Sequence, residues 1–147
     1  MIDADENELR RPLGLNLLAG LYLFFFLVSS STFGNPFPFL GHIYEGVPAK
    51  ALVLVDSLLC LYLFLGIMKR QHITWYLVLG YNLFEILNTI VNLSFISRSE
   101  LERVVGARIA QETLLSNNIA AALAMLLLSQ FIYRHQHYFT NREKYLF

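Results

Sequence analysis

The stretch ITWYLVLGYNLFEILNTIVNLSFI (residues 73–96) is long and apolar enough to cross a bilayer, yet it carries a file of polar side chains. An α-helix turns by about 100° per residue, so these polar positions fall within an arc of about 120° on one face. The positions are Asn82, Glu85, Asn88, Thr89 and Asn92. A carboxyl near the centre of a span is costly in hydrocarbon, so Glu85 is expected to face protein.

Three further apolar runs, at 13–31, 49–68 and 113–133, flank this stretch in a chain of 147 residues. The chain is 56% hydrophobic and 15% charged, with a mean hydropathy of +0.49. About 20 residues at about 1.5 Å each span a hydrocarbon core of about 30 Å. Runs such as LNLLAGLYLFFFLV lack the polar face of a soluble bundle helix. The sequence predicts one transmembrane domain, residues 1–147, an all-α integral membrane four-helix bundle with up-down-up-down topology.

The basic residues predict the orientation. Four spans place both termini on one side, together with seven Lys/Arg: Arg10, Arg11, Lys69, Arg70, Arg134, Arg142 and Lys144. The other side has four: Lys50, Arg98, Arg103 and Arg108. Because cytoplasmic loops carry an excess of Lys/Arg, we expect a multi-pass protein of the inner (cytoplasmic) membrane with both termini in the cytoplasm. A cleaved signal peptide is the alternative for the first span, but the start MIDADENELRR is acidic before it is basic.

The segments outside the spans have distinct compositions. Loop 32–48 is rich in Pro, Gly and aromatic residues, which predicts an interfacial loop or, alternatively, a partner-docking surface or a gate over a cavity. Residues 99–112 are expected to form an amphipathic outer helix, with a capping box at Ser99-Glu100-Leu101-Glu102. This helix would lie on the membrane or continue into span four, with Gly106 as a bend. The tail 134–147 is expected at the cytoplasmic interface.

Two carboxyls lie at matched depth. Counted from the inner ends of their spans, Glu85 and Asp56 are each about 18 Å deep. No Lys or Arg lies in the middle of any span. If the carboxyls meet, they cannot both be ionised cheaply, so one holds its proton or a cation lies between them. Three interpretations stay open: a proton or cation site, a protonated structural pair, or contact with a partner helix.

The amide side chains are interpreted as polar lining or interhelical hydrogen bonds. Asn92 is about 6 Å from the outer end of span three, a depth that matches Asn117 and Asn118 in the antiparallel span four. We therefore expect Asn92 to bond to one of these two residues. The set of polar positions comprises Asn82, Asn88, Thr89, Asn92, Asn117 and Asn118.

The motifs that are missing narrow the function. No His lies inside a span, and the chain has no GxxxxGK[ST], HExxH or GxSxG motif. The single Cys60 forms no internal disulfide, and His135 and His137 have no clustered carboxylate that would favour a metal site. A net charge of zero gives no nucleic-acid signature. We expect no enzymatic activity, no cofactor, no metal and no nucleic-acid partner.

Arg11-Pro12-Leu13-Gly14-Leu15 at the start of span one, and Lys69-Arg70 with Trp75 at the entry to span three, resemble a diffuse group of small prokaryotic four-span membrane proteins. That resemblance implies a four-helix membrane protein and no assigned chemistry.

The leading functional hypothesis is a non-enzymatic accessory or structural subunit that packs in the lipid bilayer against itself, as a homo-oligomer, or within a larger membrane complex. The alternative is a small proton- or cation-coupled transporter that uses Asp56 and Glu85. A third class, a lipid-acting enzyme, would need a cluster of acids or His at one interface, and the sequence shows none.

Overall fold

A computed structural model describes residues 12–143 and shows four helices that are long and apolar enough to cross a membrane. The spans are α1 (Leu13–Ser31), α2 (Val47–Met68), α3 (His72–Phe95) and α5 (Gln111–Arg134); between them lie β1 (Phe37–Phe39), β2 (His42–Tyr44) and α4 (Arg98–Val105). The predicted all-α transmembrane bundle is confirmed, and the chain is a multi-pass membrane protein. The first eleven residues, which include Arg10 and Arg11, and residues 144–147 with Lys144, lie outside the described residues.

The four spans form two helical pairs. Helix α1 packs along α2, and α3 packs along α5, whereas α2 and α3 touch over a much shorter length. We call the end of the bundle with the short α2–α3 connection the turn end, and the opposite end, with the two longer connections, the loop end. This pairing leaves space between the two pairs, in the part of the bundle that the hydrophobic core does not fill.

The main hydrophobic cluster lies in the turn-end half of the bundle. Its buried members include Leu18 and Tyr22 of α1, Ile67 of α2, Val78 of α3 and Ile132 of α5. The Trp75 indole donates a 2.9 Å hydrogen bond to the Ile132 carbonyl, which ties α3 to α5 in this region. This cluster therefore joins the two pairs at the turn end, whereas cavities lie between them towards the loop end.

The C-terminal segment folds back onto the α2–α3 connection. The His72 amide donates to the Asn141 carbonyl at 2.6 Å, and the Asn141 amide donates to the Arg70 carbonyl at 2.9 Å. The Arg70 guanidinium also donates to the Tyr138 carbonyl at 2.8 Å, and Phe139 is buried in the core. The sequence predicted a tail lying at the interface; the part described, up to residue 143, packs against the turn end of the bundle.

The second loop-end connection differs from its prediction. Its helix ends at Val105, because Gly106 adopts a left-handed φ of 76° and its amide donates to the Glu102 carbonyl. The cap is Ser97, whose Oγ accepts from the Glu100 amide, and not the predicted Ser99. Ala110 is extended with ψ 135°, so α4 does not continue into α5. The helix is thus shorter than the predicted 99–112, and the alternative that it continues into span four as one long helix is wrong.

Gly66 permits a close approach of α2 and α3. A Cβ at this position would overlap the Thr74 side chain. We predict that Gly66→Ala destabilises the protein by about 1–3 kcal/mol, as expected for overpacking. The measurement is the midpoint of unfolding in a detergent titration followed by circular dichroism.

Gly80→Ala is the matched control, since nothing lies within 4 Å of a Cβ at Gly80 in the neighbouring span. It should leave the midpoint unchanged or raise it slightly, because alanine favours a helix over glycine. Equal midpoints for the two variants would contradict the close contact at Gly66.

Candidate intramembrane carboxyl site

Asp56 joins three helices at mid-depth. One carboxyl oxygen accepts from Ser29 Oγ of α1 at 2.6 Å, and the other accepts from the Tyr81 hydroxyl of α3 at 2.9 Å. Ser57 Oγ, beside Asp56 on α2, donates to Ser29 Oγ at 3.1 Å. A carboxyl with two O–H donors is well satisfied in a low-dielectric interior. Asp56 therefore links the α1–α2 pair to α3.

Glu85 lies one helical turn beyond Tyr81 and faces the same space as Asp56. Its carboxyl accepts no hydrogen bond from any residue in 12–143, and the two carboxyls are not hydrogen-bonded to each other. Matched depth thus brings Asp56 and Glu85 to one place, but without the direct bond of a structural pair.

Two cavities meet at these carboxyls. One, of about 210 Å³, lies between α2 and α3; the other, of about 310 Å³, lies between α1, α3 and α5. Both are lined by Phe37, Asp56, Tyr81 and Glu85. Asp56 and Glu85 are the ionisable acids in these walls, and no Lys or Arg lines either cavity. The combined space therefore has an acidic centre and largely apolar walls.

A β-hairpin covers the loop end of the smaller cavity. Strands β1 and β2 pair antiparallel, with Phe39 opposite His42. The turn residues Leu40 and Gly41 have φ values of 46° and 88°, the pair of positive angles that a two-residue type I′ turn requires. Phe39 places its ring 5.9 Å from that of Phe84 on α3. Phe37 and Phe39 of the hairpin line this cavity, and we call the hairpin the lid. A gate over a cavity, one of the alternatives for loop 32–48, stays a prediction.

Two asparagines of the polar file hold this lid. Asn88 Oδ1 accepts from the Leu40 amide, and Asn92 Oδ1 accepts from the Gly41 amide, each at 2.8 Å. The prediction that Asn92 bonds to span four is wrong. The hairpin turn has two backbone amides that need acceptors, and Asn92 accepts from one of them. Asn118 instead donates to the Leu114 carbonyl of its own helix at 2.8 Å, and Asn117 is exposed.

The remaining members of the file have separate roles. Asn82 is fully buried and accepts a hydrogen bond of 2.5 Å from the Tyr22 hydroxyl, on the turn-end side of Glu85. This bond joins α1 to α3 and is one of the interhelical bonds expected from the sequence. Thr89 Oγ1 donates to the Glu85 carbonyl of its own helix at 2.9 Å. The file is therefore divided into an interhelical hydrogen bond at Asn82, a carboxyl at Glu85 and lid anchors at Asn88 and Asn92.

Sequence reasoning missed the donors around Asp56. Tyr81 lies four residues before Glu85, so its position on the polar face could have been recognised from helical spacing. Ser29 gave no comparable signal, because its contact with Asp56 depends on how α1 packs against α2. Cys60 lies 3.3 Å from the Tyr81 hydroxyl and belongs to the same network.

Comparison with family models, curated proteins and solved structures gives no match to this chain.

The lid contacts generate a prediction about access. We predict that Asn88→Leu raises the rate at which a membrane-impermeant maleimide labels Phe39→Cys, in a background that carries Cys60→Ser. Loss of a membrane hydrogen bond of about 0.6–1.7 kcal/mol corresponds to an increase of about 3- to 20-fold in the open population.

Asn118→Leu is the control for this experiment, since it removes the same amide from a span but breaks only a bond within its own helix. Its labelling rate should equal that of the parent. If Asn88→Leu also labels at the parental rate, the asparagine does not hold the lid.

Proposed function

We propose that this protein is a small proton- or cation-coupled transporter in which Asp56 and Glu85 carry the ion. The observation that supports this proposal is that both carboxyls line the same cavities at mid-depth, in walls without a basic residue. An unpaired carboxyl inside a span is costly, and in transporters such groups form ion pathways and proton relays.

The asymmetry of the bundle supports alternating access. The core and the C-terminal segment close the turn end, whereas the hairpin separates the loop end from the smaller cavity. The α1–α2 and α3–α5 pairs could rock about their shared core, which would close the loop end and open the turn end. Glu85 would take up the ion. Asp56, which is hydrogen-bonded to Ser29 and Tyr81, would respond to the charge of that ion and so affect both helical pairs.

The distribution of basic residues supports an orientation for this cycle. We propose that the turn end faces the cytoplasm and that the protein is in the inner (cytoplasmic) membrane. Lys69, Arg70, Arg134 and Arg142 belong to the turn end. In the sequence, Arg10 and Arg11 precede span one and Lys144 follows span four, which brings the count for this side to seven, against four for the other. In this orientation the lid faces outward.

Proteoliposomes with an internal pH dye test the transport proposal. Asp56→Asn and Glu85→Gln keep the size of each side chain but remove its charge. We expect each variant to reduce proton flux or cation-driven proton flux by more than about tenfold, as for loss of an essential acid–base group.

The control is Glu45→Gln, because Glu45 is an exposed carboxyl on the connection that carries the lid, outside both cavities. It should retain parental flux. Equal flux from all of these proteins, each checked for folding by size-exclusion chromatography, would overturn the proposal.

Span four gives specific support to a second candidate function, an accessory subunit or homo-oligomer. Only Ser129 and Ile132 of α5 are buried, both near the turn end. Asn117 is exposed near the loop end of this span and has no hydrogen-bond partner within residues 12–143. A polar side chain at that depth is more stable against water or a neighbouring protein than against lipid. The free half of α5 would be the contact with another subunit.

Photocrosslinking in native membranes tests this second candidate. Leu123 of α5 and Leu58 of α2 are 54% and 55% exposed, and both lie near the middle of their spans. A photoreactive amino acid should give a discrete protein adduct at position 123 and only lipid adducts at position 58. Lipid adducts alone at both positions, together with a monomeric mass in gentle detergent, would contradict the subunit role.

A further inference from the structure

The walls of the smaller cavity suit an ion with an apolar body. Beyond the two carboxyls they comprise Phe37 and Phe39 from the lid, Phe84 and Tyr81 from α3, and aliphatic side chains of α2. A hard inorganic cation takes about six oxygen ligands, and a wall of this composition offers few. Of the neutral oxygen groups, Asn88 Oδ1 is already bonded to the lid and the Tyr81 hydroxyl to Asp56.

The aromatic rings add attraction for an organic cation. The Phe39 and Phe84 rings are 5.9 Å apart and inclined by 43°, one on the lid and one on the span. A cation within about 6 Å of a ring centroid is attracted by the negative face of the ring, and more strongly when it is desolvated. Aromatic faces together with acidic groups form the kind of pocket that binds quaternary ammonium compounds.

An apolar groove continues from this cavity along the surface between α2 and α3. The groove encloses about 580 Å³ and shares Leu59, Tyr81 and Phe84 with the cavity. Its further lining, towards the turn end, includes Leu63, Leu77 and Gly80. The sparse contact between α2 and α3 leaves this groove open to the membrane. An amphiphilic molecule could therefore place its charged group at the carboxyls and its apolar part in the groove.

We propose that the ligand of this site is an amphiphilic organic cation, bound between the Asp56 and Glu85 carboxyls and the Phe39 and Phe84 rings. This inference rests on the proposed transport function, in which the same carboxyls exchange the organic cation for protons. No covalent step is involved: when the cation binds, the proton held by the acids is released, so charge in the cavity stays balanced. The lid closes over the ammonium group through Phe39.

The test is equilibrium dialysis of the full-length protein in lipid nanodiscs with radiolabelled benzyltrimethylammonium. This compound combines a permanent charge with a ring. Tetramethylammonium, which has the charge alone, and benzyl alcohol, which has the ring alone, should compete much less well. Competition by benzyl alcohol that equals competition by unlabelled benzyltrimethylammonium would show that charge is not recognised and would overturn the proposal.

Substitutions locate the binding. Glu85→Gln should weaken binding by at least about tenfold, since the opposing charge in a low-dielectric cavity is lost. Phe84→Leu, which keeps an apolar side chain but removes the π face, should weaken binding about 3- to 30-fold. Phe84→Tyr, which keeps an aromatic ring, should bind with parental affinity. Phe24→Leu is the matched control, because Phe24 is an exposed aromatic residue of α1 outside the cavity lining. Parental affinity in Phe84→Leu and Glu85→Gln would overturn the inferred site.

Proton flux measured on the same preparations separates the two proposals. Flux that depends on Asp56 and Glu85, without binding of benzyltrimethylammonium, would overturn the organic-cation ligand and leave the transport proposal in place. Binding that depends on Glu85 and Phe84, without any flux, would support the site and contradict transport. If the parent protein shows neither proton flux nor benzyltrimethylammonium binding, both proposals are contradicted.

Discussion

The cost of placing a carboxyl in hydrocarbon is the constraint on which this structure depends. Asp56 meets it by accepting O–H bonds from Ser29 on α1 and Tyr81 on α3. The bond from Tyr81 is a polar contact between the two helical pairs, and the bond from Ser29 lies within the α1–α2 pair. The loop-end half is therefore held together around acids and a cavity, and the main hydrophobic cluster lies at the turn end.

The same rule governs the lid. A two-residue hairpin turn leaves backbone amides without partners in the hairpin, and at the edge of a membrane these amides need acceptors. Asn88 and Asn92 supply them from α3, at positions that are four residues apart and so lie on one helical face. The polar face of α3 thus stabilises the bundle at Asn82 and the lid at Asn88 and Asn92. Glu85, between them, is the member without a structural bond among residues 12–143.

The sequence predicted the spans closely because a membrane helix is a local property. Runs of about 20 apolar residues mark a span whatever its neighbours are. The predicted 13–31 matches Leu13–Ser31, and the other spans differ from their predictions by no more than two residues at either end. The shared depth of Asp56 and Glu85 also follows from helical rise alone. The outer helix was less predictable, because either Ser97 or Ser99 could cap it, and Gly106 could bend or end it.

By itself, then, the sequence determined the four membrane-spanning helices, the polar face of α3 and the depth of its carboxyl, since each depends on hydrophobic run length or helical periodicity. Only the tertiary structure decided the partners of the polar groups. Ser29 donates to Asp56, Asn92 accepts from a hairpin amide and does not bond to span four, and Glu85 faces a cavity. Each outcome depends on how the helices and the hairpin pack together. Helical spacing fixes which side chains share a face, but packing between distant segments fixes what that face meets.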